Sequence, residues 1–347
     1  MKRLGLGKTA LRVVAGLVVT VALGAGRADA VSIPPPVSGS WLTALSTDGS
    51  GTLFACDGNT VWRLQGGSFT SVYSGVRVTA DVSVDPSGFA VNAAGTQAYV
   101  ATGSTGRLVE VNLSTPPSAR ELSGTRYAGG TPFTYGNYGV AIDPIYGKVF
   151  ITDSTNQDLY LMDPSGSGSL RLLKSFSGSF GGGLAFSPTG ELYVPVPTAY
   201  SVAGTADNFP IDLYRFPRSW LDDVAAGHTP TTDAVRYAQN LAVSGTSFVA
   251  IDGSGVAYLQ AADAIYSVSA TGDLSTFLGD PSKNVFIMGD TGYRGLVFDP
   301  TSNQLYYGYR EATGQPLELG AQAVPEPATI LLLGMGAAIV ALRRKRQ

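Results

Sequence analysis

The side chains that run most protein chemistry are scarce in this chain. It holds one histidine, His228, and one cysteine, Cys56. A Ser-His-Asp machine would have to be built on His228, and a metal site with several imidazoles is excluded. His228 lies in AAGHTPTTD, a polar, turn-like stretch that reads as a solvated loop. Cys56, in LFACDG, has no histidine or basic neighbour to activate a thiol and reads as a small buried residue at a strand end. A lone cysteine also excludes an internal disulfide. Two acidic groups remain. Asp153, Asn156 and Asp158 in DSTNQD carry cation-binding oxygens, but the glycine and distant glutamate of an EF-hand loop are missing. That stretch reads as a tight turn capped by its own side chains. Asp222 and Asp223 in RSWLDDVAAGHTP read as a solvated segment with a short helix. No metal ligand set is assigned, and calcium is the one cofactor these carboxylates leave open.

A different chemistry is available to three stretches rich in aromatic residues, Gly, Asn and Asp: YAGGTPFTYGNYG, SGSFGGG and PTAYSVAGTADNFP. Aromatic faces stack on the C–H faces of a sugar while polar side chains bond its hydroxyls. The candidate ligand-binding residues are Phe133, Tyr135, Asn137, Phe180, Tyr200, Asp207, Asn208 and Phe209. The competing reading is that these aromatics pack the loops that carry them. Asn112-Leu113-Ser114 also fits a glycosylation sequon.

What must position these residues is an array of short strands. A unit recurs: a short apolar run, a turn with Asp, Pro, Ser or Gly, a run rich in Tyr, Val or Phe, a second turn, and an alternating run. YGVAIDPIYGKVFITDSTNQDLYLMDPSGSGSLRLLKSF shows it most fully, and GGLAFSPTGELYVPV and RGLVFDPTSNQLYYGY repeat its first half. Regular short strands with Gly and Asp turns predict an all-β protein, and a period of roughly 40–50 residues with four strands per unit predicts propeller blades. Six units are counted between Trp41 and Gly320, and the long unit after Gly190 leaves room for a seventh. A β-sandwich and a right-handed β-helix are the alternatives. Asp143-Pro144 followed by VFITD resembles the NHL and YWTD propeller families, with Phe150-Ile151 where the YWTD signature has Tyr-Trp. The last unit lacks a clear outer strand, and the extended VSIPPPVSG at 31–39 is expected to supply it on an edge where proline is tolerated.

The two ends give the protein's address. Lys2, Arg3, Lys8 and Arg12 precede the apolar VVAGLVVTVALGAG, and Ala28 and Ala30 place small residues where signal peptidase reads, so residues 1–30 are expected to be a secretory signal cut after Ala30. At the other end, Ile330 to Leu342 is almost wholly apolar, is shorter than the ~20 residues that span a bilayer, and is expected to be a short transmembrane helix. Arg343, Arg344, Lys345 and Arg346 would hold it by the positive-inside rule. Val324-Pro325-Glu326-Pro327-Ala328, the apolar stretch and the basic end together resemble the PEP-CTERM sorting signal of Gram-negative bacteria. The resemblance implies cleavage near the Pro-Glu-Pro by an exosortase, in a bacterium that makes exopolysaccharide. The chain is therefore read as signal peptide 1–30, Pro-rich leader 31–40, propeller 41–320 and sorting segment 321–347.

Of the 23 Lys and Arg residues, nine lie in the two ends, so the body is acidic, with Lys148, Lys174 and Lys283 its only lysines. Such a body argues against nucleic acid as a partner and against anionic membrane surfaces. The expected function is that of an exported surface or matrix protein with a non-catalytic propeller for binding or scaffolding, with polysaccharide as its candidate ligand. The alternative is a propeller enzyme of lactonase or sugar-lyase type using a divalent metal, by analogy of shape.

Overall fold

The computed structural model describes residues 31–33 and most of the chain from 44 to 324. Residues 1–30, 34–43, 58, 77–85, 103–106, 123–138, 154–157, 163, 165–167, 177–182, 198–208, 244–247, 262–263, 280–291, 311–316 and 325–347 lie outside the described residues. The signal segment and the apolar C-terminal stretch are among these. No helix among the described residues is long and apolar enough to cross a membrane.

The strands pair into six separate four-stranded antiparallel sheets. From the axis outward, the first blade is β2 (Ala44–Thr47), β3 (Leu53–Cys56), β4 (Thr60–Gln65) and β5 (Ser68–Ser74). The second is β6 (Pro86–Val91), β7 (Gln97–Thr102), β8 (Arg107–Asn112) and β9 (Ser118–Glu121). The third is β10 (Val140–Ile142), β11 (Val149–Asp153), β12 (Asp158–Met162) and β13 (Leu170–Ser175). The fourth is β14 (Ala185–Phe186), β15 (Leu192–Pro197), β16 (Phe209–Phe216) and β17 (Val235–Val243). The fifth is β18 (Phe248–Ile251), β19 (Ala257–Gln260), β20 (Ala264–Val268) and β21 (Leu274–Gly279). The sixth is β22 (Gly292–Asp299), β23 (Gln304–Arg310), β24 (Leu317–Ala323) and, from the other end of the chain, β1 (Val31–Ile33). The innermost strands form a closed circuit: β2 lies against β6 and β22, β10 against β6 and β14, and β18 against β14 and β22. This is a six-bladed propeller, and neither a sandwich nor a β-helix. Among the described residues, the long unit after Gly190 holds no seventh blade. Its length goes into β16, β17 and the helix α1 (Arg218–Ala225) between them.

Within each blade a large residue is matched to a small one. Each second strand carries an aromatic residue opposite a smaller residue of the innermost strand: Phe54 faces Ser46, Tyr99 Ala90, Phe150 Ala141, Tyr193 Ala185, Tyr258 Ala250 and Tyr306 Val297. The small innermost partner leaves room for the aromatic ring, while other innermost positions carry Phe89, Phe186 and Phe298. The alternation of β12 then divides its side chains between two neighbours. Leu159 packs with Phe150, Leu192 and Val194 toward the fourth blade. Tyr160 and Met162 pack with Tyr99 and Leu108 toward the second. No blade buries both faces alone, which is why the ring is the stable unit.

The ring closes as the Pro-rich leader suggests. β1 pairs antiparallel with β24, Val31 opposite Leu319 and Ile33 opposite Leu317, so the first strand of the chain is the outer edge of the last blade.

Each turn between a first and a second strand is held by one side chain. Asp48 accepts from the Ser50 and Thr52 amides at 2.9 Å, Asn92 from Thr96 at 2.8 Å, Asp143 from Ile145 at 2.9 Å and Ser187 from Glu191 at 3.0 Å. Asp252 accepts from Ser254 at 2.8 Å and Asp299 from Thr301 at 2.9 Å. Every one of these turns also needs a left-handed residue. Five use glycine (51, 95, 147, 190 and 255), and the sixth uses Asn303 at φ 54°.

Candidate functional site

Antiparallel strands give the ring two unlike faces. The turns just described, and those between third and fourth strands, lie on one, here called the turn face. The remaining connections lie on the other, the loop face. The strands that flank 123–138, 177–182 and 198–208 all end on the loop face. Phe133, Tyr135, Asn137, Phe180, Tyr200, Asp207 and Asn208 lie outside the described residues. Phe209 opens β16 opposite Val243, at the loop-face end of the fourth blade.

The residues singled out for reactive chemistry have structural partners. His228 is exposed, and its amide donates to the Asp223 carbonyl at 2.8 Å just beyond α1. Cys56 is fully buried on β3. Asp153 and Asp158 face one another across the β11–β12 pair, and Asp158 accepts from the Tyr160 hydroxyl at 2.8 Å. Asn156 lies outside the described residues. Asp222 accepts from Arg218, and Asp223 from the Thr231 amide at 3.1 Å, so the expected short helix is present and its acids are engaged. Among the described residues no three His, Cys, Asp or Glu side chains are placed to hold a metal ion.

The turn face holds two features that local sequence does not announce. Arg218 opens α1 and clamps Asp143, 75 positions earlier, with Nη1 to Oδ1 and Nη2 to Oδ2 both at 2.9 Å. Its Nε reaches Asp222 at 2.7 Å, and its guanidinium lies 4.9 Å from the centre of the Tyr146 ring. Burial opposes the charge on Arg218, but the hydrogen bonds to Asp143 and Asp222 outweigh it and raise its pKa. Trp220, Leu221 and Val224 bury the other side of α1 against the third and fourth blades. The second feature is an axial cavity of about 250 Å³, walled by innermost strands through Phe89, Ile142, Phe186, Ile251 and Phe298, with Asp48 and Pro300 at its rim. Its wall is mostly apolar, with Ser46, Thr47 and Ser187 among the polar residues that line it.

The sorting segment leaves from this same face. Ala323, the end of β24, pairs with Gln304 beside the last turn. Val324 then donates its amide to the Asn303 carbonyl at 3.2 Å, and Asn303 Nδ2 donates to the Val324 carbonyl at 3.0 Å. The Val324 side chain is buried in the core. Pro325, Glu326, Pro327, Arg343, Arg344, Lys345, Arg346, Ala28 and Ala30 lie outside the described residues.

These observations define a class: a closed six-bladed propeller with an export address joined directly to its last blade. The PEP-CTERM protein-sorting motif matches residues 323–346. The motif implies an exported chain that is anchored in the membrane before an exosortase processes it. No curated protein matches the chain. Among solved structures, the propeller is similar to XC5397 from Xanthomonas campestris, a gluconolactonase, at 16% identity and TM-score 0.55, covering 86% of this chain and 99% of that one. It is similar to the β-propeller domain of Cps50 (Swd1) from Myceliophteria thermophila at 15% identity and TM-score 0.52, over 81% and 82% of the two chains. A Bacteroides thetaiotaomicron protein of unknown function gives 14% identity and TM-score 0.52, over 82% and 70%. Likenesses of this degree establish the fold.

Proposed function

We propose that this is a surface or matrix protein whose propeller is a non-catalytic binding module for polysaccharide, delivered by processing of its tail. One observation carries the reading. All twenty-four strands of the described residues lie upstream of Pro325, and Val324, the last described residue, is held by the fold. A cut beyond Val324 therefore leaves every described strand of the ring in the released chain. Polysaccharide is favoured as ligand by the aromatic and polar make-up of three segments whose flanking strands converge on the loop face, away from the sorting tail. The lactonase or sugar-lyase alternative rests on the shared propeller alone, and the same propeller is shared with proteins of other kinds.

The test is retention on exopolysaccharide purified from producing cells. Two stacked rings contribute about 2 kcal/mol, roughly thirtyfold in affinity. The double variant Tyr135→Ala, Phe209→Ala is expected to lose that retention with its melting temperature unchanged. Equal retention assigns the aromatics to loop packing instead. One calcium bound tightly per chain, in a metal assay on the exported domain, would favour the enzyme.

A further inference from the structure

We propose that the turn face is the membrane-facing side of the anchored precursor, lying on the lipid surface with Ile145 and Tyr146 in the interface and the loop face directed away. The inference rests on the reading of the tail as a membrane anchor, and adds which face of the ring that anchor presents. Three observations carry it.

The first is the length of chain between fold and anchor. Val324 is fixed to the turn face by two hydrogen bonds to Asn303 and by burial of its side chain. Only residues 325–329 separate it from Ile330, where the apolar stretch begins. Six residue steps reach at most about 20 Å when fully extended. With the tail inserted, the edge of the turn face at the sixth blade is held that close to the hydrocarbon.

The second is the direction of the other end. β1 runs toward the loop face, because Ile33 sits opposite Leu317, the first residue of β24. Its first residue, Val31, therefore enters from the turn-face side. Neither membrane-directed end of the sequence meets the fold on the loop face.

The third is what the turn face exposes. Ile145 and Tyr146 are half exposed at the tip of the turn of the third blade. In a ring of six, the third blade stands opposite the sixth. One side of the face is thus tethered through Val324, and the opposite side carries an aliphatic and an aromatic residue, a pair suited to the interface of a bilayer held there by the tail. Two contacts across the ring would lay the face flat and keep the loop face open to solvent.

The experiment uses the full chain in lipid vesicles. Cys56 is fully buried, so an environment-sensitive fluorophore reacts at an introduced thiol: Ile145→Cys on the turn face, or Ser74→Cys at the loop-face end of β5. Lipids with brominated acyl chains are expected to quench the label at 145 and leave the label at 74 unchanged. Equal quenching, or stronger quenching at 74, in a chain that floats with the vesicles overturns the assignment of the face while the anchor stands. A chain that does not float overturns the anchor and the inference with it.

Discussion

Arg218 is the side chain on which the turn face depends most. Asp143 is almost fully buried, with 1% of its side chain exposed, and its only cationic partner among the described residues is Arg218. Replacing Arg218 with methionine keeps most of the packing of the stem and leaves the carboxylate without its counter-ion. Breaking a buried pair costs about 3–5 kcal/mol. Two corrections reduce this. Asp143 keeps the Ile145 and Tyr146 amides as donors at 2.9 and 3.3 Å, and Arg218 is itself 20% exposed. The second pair, with the more exposed Asp222, adds only about 0.5 kcal/mol. The expected loss is about 3 kcal/mol, which lowers the melting temperature by roughly 5 °C for a domain of this size. Asp143→Asn keeps the oxygen that caps the turn and should lose less. The double variant should lose less than the sum of the two single changes, because the stranded charge is gone. Guanidinium unfolding and thermal melts of the four proteins measure this directly. A shift below about 2 °C for Arg218→Met, or strict additivity in the cycle, refutes the assignment of Asp143 as a buried, charge-paired turn cap.

Other outcomes follow from the ring. Deleting residues 31–33 removes three cross-strand pairs and exposes the edge of β24, a loss of about 1–3 kcal/mol; an unchanged melt would show that the leader does not close the ring. Burial pushes the Tyr99 and Tyr193 hydroxyls up to about 12, with Glu110 and Glu191 adding to the effect, and it raises Tyr258 further still. Tyrosine in the unfolded chain ionises near ~10, so this contribution is intact below pH ~10 and is lost as pH climbs through the folded values. Melts recorded across that window should fall steeply, and Tyr193→Phe should flatten the fall. Gly320 faces Tyr307 across the β23–β24 pair, where a Cβ would collide with the ring; Gly320→Ala should cost about 1–3 kcal/mol.

Much of the scaffold could be read from sequence because it is written locally. The third blade shows this best: the apolar run of β10, the Asp143-Pro144 turn and the alternation of β12 need only strand periodicity and turn chemistry, and the structure follows them. Closure by the leader was readable for a related reason, since a unit with one strand too few needs a partner. The Arg218–Asp143 clamp was not, because its partners lie in different blades and nothing near either residue names the other. Nor was the Asn303–Val324 contact: an asparagine in a turn looks like any turn residue until β24 brings the sorting motif beside it. The polysaccharide reading rests on composition and on the direction of flanking strands, and of its residues only Phe209 falls within the described strands.

The ends of the mature protein test the sorting of this chain most directly. Mass spectrometry of the chain recovered from the cell surface reads both at once. A chain that begins at Val31 and ends beyond Val324 but before Arg343 is the predicted result, since it retains every strand of the ring and loses the anchor. A surface chain that still ends in Gln347 would contradict the account, because the tail would then be a permanent anchor and not a sorting signal.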